Sequence, residues 1–258
     1  MVDTHAHLSI CEPPDDELVA DAEQAGVRRI LSIGLDEGSN REAIAAADAH
    51  DAVFAGIGRH PNSAIGFDDA AAADIEELAA NPVVRAIGET GLDYYRDGAP
   101  REDQLRAFRA QIEIARRAGL ALVIHLRDRD DVEQPDGAIA EAFELLGEEA
   151  DGVTVILHCF SAPARVAEAA ERGWYCSFAG NVTFPRSDAL REAAAAVPED
   201  LLLVETDAPF LAPQPRRGKP NAPEYVVATA AAVAEARGVD YAALERSVEA
   251  NAERALRW

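Results

Sequence analysis

Eight short runs of β-branched and apolar residues recur along the chain, and a longer alanine-rich amphipathic segment follows each of them. No other feature limits the fold as strongly, because strands that alternate with helices pair in parallel through βαβ units. The runs predict strands at residues 2–7, 27–33, 53–57, 83–88, 120–125, 153–158, 174–178 and 201–205. Helical periodicity predicts helices at 15–25, 39–50, 70–80, 101–118, 137–146, 163–172, 187–196, 223–237 and 241–256. Gly26, Gly119, Gly173 and Gly238 each follow such a segment, where a helix ends in the left-handed conformation. A count of eight favours a closed (β/α)8 TIM barrel over an open doubly wound sheet, and 258 residues match the roughly 250 that such a barrel uses. No linker or low-complexity tract interrupts the pattern, so residues 1–258 are expected to form one domain.

Hydrophobic residues make up 48% of the chain, enough for a full core, and no apolar run approaches the roughly 18 residues of a membrane span. No basic and apolar leader precedes the first strand, which makes the cytoplasm the expected location. Cys11, Cys159 and Cys176 are odd in number and lack C-x-x-C spacing, which fits neither a disulfide framework nor a zinc ribbon. The net charge is −23, and Lys219 is the only lysine among 24 basic residues. Such an acidic, lysine-poor surface is expected of a protein adapted to concentrated salt, where the Debye length shrinks to about 3 Å at 1 M. Its melting temperature should then be higher in molar salt than in dilute buffer; equal values would refute that habitat. The same charge argues against broad nucleic-acid binding by a basic face, while leaving room for a local phosphate site. No obligate protein partner is evident.

His5 and His7 lie two residues apart in the first expected strand, so both imidazoles can face one point, although either could equally be a hydrogen-bonded polar residue. Further metal-type side chains stand at the ends of later strands: Glu89 after the fourth, His125 on the fifth, His158 on the sixth and Asp207 after the eighth. In a barrel the C-terminal strand ends surround one mouth, so these six residues can meet. Four histidines and two carboxylates exceed the needs of one ion, which points to two ions about 3.5–4 Å apart, bridged by a carboxylate and an activated water. Other chemistries lack their motifs. There is no phosphate-binding G-x-x-x-x-G-K-[ST] loop and no G-x-S-x-G elbow, and the segment from Gly56 to Pro61 lacks the third glycine of a dinucleotide fingerprint. His158 and Cys159 are adjacent, a poor arrangement for a base and a nucleophile on a strand. His60 either lines the mouth or bonds a loop, and His50 is a surface residue.

Seven segments together carry a resemblance: Thr4 to Leu8, Gly58 to Pro61, Ile87 to Tyr94, Ile124 to Asp128, His158 to Ser161, Glu205 to Leu211 and Arg217 to Asn221. In order and content they resemble the TatD family of metal-dependent hydrolases, within the amidohydrolase-like barrels. The resemblance implies a TIM barrel with a divalent metal pair and deoxyribonuclease activity on DNA ends or single strands. Carried over by position, it implies that His5, His7, Glu89 and Asp207 hold one ion and that Glu89, His125 and His158 hold the second. Ser9 stands where the family often has an acidic residue, and Ala162 where it often has glycine. Both departures bear on substrate choice more than on the metals.

The expected reaction is attack by a metal-bound hydroxide on a phosphodiester, with Asp207 as proton acceptor and Glu89 as the other catalytic carboxylate. Arg216, Arg217 and Lys219 form the only compact basic cluster in the sequence, either a solvated loop or a phosphate clamp, with Arg127 and His60 as further substrate contacts. The expected cofactor is two divalent ions, zinc, manganese or magnesium; four imidazoles favour zinc, manganese or iron over magnesium, a preference that supply in the cell could override. The same centre could serve a deacylase or amidohydrolase, for example one that cuts an aminoacyl-tRNA ester. A non-catalytic metal- or nucleic-acid-binding protein is the remaining class.

Overall fold

Each of the eight apolar runs forms a strand in the computed structural model, which describes residues 1–129, 134 and 137–258. The strands β1 (Val2–Ala6), β2 (Arg29–Ile33), β3 (Val53–Ile57), β4 (Val84–Asp93), β5 (Ala121–Arg127), β6 (Val155–Leu157), β7 (Tyr175–Phe178) and β8 (Leu202–Val204) lie side by side in sequence order. Every neighbouring pair is parallel. The helices are α1 (Asp15–Gln24), α2 (Glu37–Ala49), α3 (Asp69–Leu78), α4 (Arg101–Ala118), α5 (Ala138–Glu149), α6 (Val166–Glu171), α7 (Asp188–Ala196), α8 (Val226–Arg237) and α9 (Tyr241–Leu256). Strands covered by helices outside and filled by side chains inside are apolar on both faces. Leu31, Ile33, Ile57, Ile87, Leu122 and Leu203 are accordingly buried. Among the described residues no helix is long and apolar enough to cross a membrane.

The differences from the expected elements have local causes. The second helix starts at Glu37 rather than Ser39, because Asp36 caps it: its side chain accepts from the Ser39 N–H while the Ser39 hydroxyl oxygen accepts from the Asp36 N–H. The segments expected as helices at 163–172 and 223–237 each begin with a 3-10 turn led by proline, at Pro163–Arg165 and Pro223–Tyr225.

The largest difference lies in β4, which continues five residues past its expected end at Gly88, through Glu89 to Asp93. Its register against β5 shifts between Ile87 and Thr90. Gly88 and Gly91, at φ 132° and 139°, make this irregular course possible. A Cβ on Gly88 would stand 2.4 Å from the Val123 carbonyl oxygen, and one on Gly91 would stand 2.1 Å from that of His125. Glycine is therefore required on both sides of Glu89, and the close backbone approach sets that carboxylate beside the β5 histidine.

The ring of strands closes between β8 and β1. Ala6 and Ala208 form a parallel bridge, the His7 N–H donates to the Ala208 carbonyl at 2.8 Å, and the Asp207 N–H donates to the His5 carbonyl at 2.9 Å. Buried Asp3 tightens this seam by accepting from the Thr206 hydroxyl at 2.6 Å and the Thr206 N–H at 2.9 Å. Burial pushes the Asp3 carboxyl up to about 8 against those hydrogen bonds.

Candidate metal centre

β1 supplies the first two imidazoles. His5 lies inside the strand and His7 immediately after it, both buried and both turned toward Glu89. Their Nε2 atoms stand 3.2 Å apart. His7 Nδ1 lies 2.9 Å from the Ile33 carbonyl oxygen, which can only accept, so Nδ1 carries the proton and Nε2 presents a lone pair.

Glu89 divides the remaining groups between its two oxygens. Oε2 is 3.5 Å from His5 Nε2 and 3.5 Å from His7 Nε2. Oε1 faces the other way, 2.5 Å from His125 Nδ1, 3.4 Å from His158 Nε2 and 3.6 Å from His60 Nε2. Asp207 joins the first side, with Oδ1 3.5 Å from His7 Nε2 and 3.9 Å from His5 Nε2. Its backbone occupies the left-handed region at φ 57°, which directs the carboxylate back over β1 at some conformational cost.

Two further carboxylates support the far histidines. Glu205 Oε1 lies 2.7 Å from His158 Nδ1 and accepts from the Cys159 N–H at 2.8 Å. Asp93 Oδ2 lies 3.3 Å from His125 Nε2. Burial opposes charge on both rings, but Glu89 and Asp93 outweigh it at His125 and lift that ring to about 9. Glu205 and Glu89 do the same at His158, to about 10. Burial also opposes the Glu89 charge, yet His158, His60 and His125 hold its carboxyl well below the ordinary range. A cation bound through these rings competes with a proton for the same nitrogen, so the upward shifts at His125 and His158 oppose metal uptake at low pH and metal affinity rises with pH.

The donor set fits a divalent transition ion. Among the described residues His5 Nδ1 is buried without a hydrogen-bond partner, and three trios bring ligand atoms within 4.8 Å of one another. The trios are His5, His7 and Glu89; His60, Glu89 and His125; and His5, His158 and Glu205. Imidazole nitrogens mixed with carboxylate oxygens suit zinc, manganese or iron. His60 is the exception. Its Nδ1 accepts from the Asn62 N–H at 3.0 Å, and burial lowers its pKa to about 3, so the ring is neutral with its proton on Nε2. That N–H points toward Glu89 as a donor, which leaves no lone pair for a cation.

Residues 2–257 match the family described as TatD related DNase. The chain belongs to the TatD family. A relative from Bacillus subtilis, the uncharacterized metal-dependent hydrolase YabD, is 38% identical over 261 residues, covering 100% of this chain and 99% of its own. The 3'-5' ssDNA/RNA exonuclease TatD of Cronobacter sakazakii is 34% identical over 246 residues, covering 93% of this chain and 90% of its own. The crystal structure of YJJV, a TatD homolog from Escherichia coli K12, superposes with a TM-score of 0.90 at 24% identity, covering 100% of this chain and 98% of that one.

In this TatD-family chain the six side chains expected as ligands, His5, His7, Glu89, His125, His158 and Asp207, do converge, and His60 stands with them. The basic residues are arranged differently. Arg127 lies over the Tyr95 ring at 3.8 Å, Arg217 over Phe184 at 4.3 Å and Arg216 over Tyr225 at 4.1 Å. Arg216, Arg217 and Lys219 are exposed on the segment after β8. Sequence reasoning overlooked Glu205 and Asp93 as partners of the histidines. The available signal was their spacing: Glu205 precedes Asp207 by two residues, and Asp93 pairs across the ladder from Arg127, two residues beyond His125. Glu205→Gln removes the charge that faces His158 Nδ1 and should weaken metal affinity about 10- to 100-fold without unfolding the barrel. A calorimetric metal titration at constant pH checks this, and unchanged affinity would remove Glu205 from the centre.

Proposed function

We propose that this metal-dependent hydrolase of the TatD family is a phosphodiesterase acting on DNA ends or single strands, with two divalent ions on either side of Glu89. The observation that carries the reading is the division of the Glu89 oxygens, Oε2 toward His5 and His7 and Oε1 toward His125 and His158. With Asp207 in the first group, His5, His7, Glu89 and Asp207 would hold one ion and Glu89, His125 and His158 the other. Bound there, divalent ions would acidify a water and neutralise charge developing on the phosphoryl oxygens.

The protein's own side chains supply the rest. Asp207 is the most exposed of the carboxylates facing the histidines, its side chain 13% accessible against 3% for Glu89, and it accepts the proton of the attacking water. Neutral His60 offers its Nε2–H to a phosphoryl oxygen. Arg127 and the exposed Arg216, Arg217 and Lys219 bind the flanking phosphates. The name borne by the Cronobacter relative, an exonuclease on single-stranded DNA and RNA, supports this substrate class.

A turnover screen in high salt tests the reading, with metal-loaded protein given single-stranded DNA, a small phosphodiester, an aminoacyl-tRNA ester and simple amides. Single-stranded DNA should be cleaved fastest. Removing Arg217 and Lys219 together should slow DNA cleavage more than that of the small phosphodiester. Preferential cleavage of the ester or an amide would overturn the nuclease assignment.

A further inference from the structure

Among the described residues the exposed large hydrophobic side chains are Ile10, Ile65, Tyr95, Phe210, Val239 and Tyr241. The first four lie on segments that leave the C-terminal ends of strands: Ile10 after β1, Ile65 after β3, Tyr95 after β4 and Phe210 after β8. All four therefore border the mouth that holds the metal-type side chains. Val239 and Tyr241 belong to the connection between α8 and α9, which lies at the opposite end of the barrel. Apolar side chains gathered around one polar centre on an otherwise acidic protein mark a binding surface.

Phe210 is the best placed of them. It is 51% exposed, and its ring centroid lies 6.1 Å from that of His7. Its backbone is fixed on both sides: the N–H donates to the Asp207 carbonyl at 2.7 Å, and the carbonyl accepts from Asn221 Nδ2 at 2.7 Å. Asn221 is itself buried and also donates to the Thr206 carbonyl at 2.8 Å. An exposed ring on so fixed a backbone gives a rigid flat face at little entropic cost. Tyr95 stands on the other side of the centre, where its N–H donates to Asp93, the carboxylate that faces His125. Its half-exposed ring carries the Arg127 guanidinium.

We propose that Phe210 stacks on an unpaired nucleobase beside the scissile phosphodiester, and that Tyr95 with Arg127 receives a second base, so that the rim selects strands with unpaired bases. The proposal rests on the phosphodiesterase reading above. An acidic surface repels phosphates over most of its extent, and stacking supplies attraction that does not depend on net charge. It is also indifferent to base identity, since every base has a π-face. A duplex conceals those faces within its own stack, which gives the rim its selectivity.

The test compares a single-stranded oligonucleotide with the same strand carrying abasic sites at the nucleotides flanking the cleaved bond. Metal-loaded wild-type protein should cleave the normal strand about 10- to 100-fold more efficiently, mainly through KM. In Phe210→Ala that ratio should fall toward one, and Phe210→Trp should restore it. Tyr241→Ala, an exposed aromatic at the far end of the barrel, should leave both ratio and rate as in wild type. A wild-type enzyme that cuts both strands equally well, or a Phe210→Ala variant that keeps the wild-type ratio, overturns the stacking role and leaves the nuclease reading standing. Failure of the wild type to cut either strand overturns the nuclease reading and the stacking role with it.

Discussion

Glu89→Gln should leave the protein folded and unable to retain its metal. The substitution preserves shape and removes the one negative charge shared by five imidazoles, the farthest 3.6 Å away. An amide also turns N–H donors toward ring nitrogens whose lone pairs belong to a cation. Breaking a buried charge pair on one side costs about 3–5 kcal/mol, and loss of the bridge proposed for Glu89 should cost at least that much. Dialysed variant protein should hold less than one-tenth of the wild-type metal content by elemental analysis, with turnover lost in parallel. A full complement of metal in the variant would show that Glu89 bridges nothing. Gly88 and Gly91 remain in place, so β4 keeps its course and the effect is electrostatic.

Asp207→Asn should separate chemistry from architecture. Asparagine tolerates the left-handed backbone that Asp207 occupies at φ 57°, which alanine does not do as readily, so the seam between β8 and β1 survives. The four histidines and Glu89 are untouched and should still take up metal. What disappears is the carboxylate proposed as proton acceptor, and removal of a positioned general base lowers turnover by about 10²–10⁴. The expected result is that fall in kcat, with the melting temperature within a few degrees of wild type. A kcat within tenfold of wild type would rule Asp207 out as the base.

Most of the architecture and the outer plan of the centre were legible in the sequence, for a physical reason. Parallel strands buried on both faces must be continuous apolar runs, so a polar residue that ends such a run, as His158 does after Val155–Leu157, is conspicuous. Glu89 was legible as a residue but not in its setting, because a strand that bends at glycines and shifts register has no period to read. Glu205 and Asp93 escaped notice since carboxylates near loops are common, and only the fold shows which of them face an imidazole. The tautomer of His60 depends on one backbone N–H at Asn62, a contact that composition and spacing do not encode. Arg216 and Arg217 were visible as a basic cluster, whereas their seats over Tyr225 and Phe184 depend on elements far apart in the chain.

The closing seam has a consequence in time. Asp3 and Thr206, which lock β1 to β8, are 203 residues apart, and His5, His7 and Asp207 flank the same joint. At a synthesis rate of about 5–20 residues per second, roughly 10–40 s separate the emergence of His5 and His7 from that of Asp207. During that interval a growing chain carries histidines and Glu89 but neither the joint nor Asp207. The cluster at the mouth is therefore assembled only when the last strand has been made and the barrel closes.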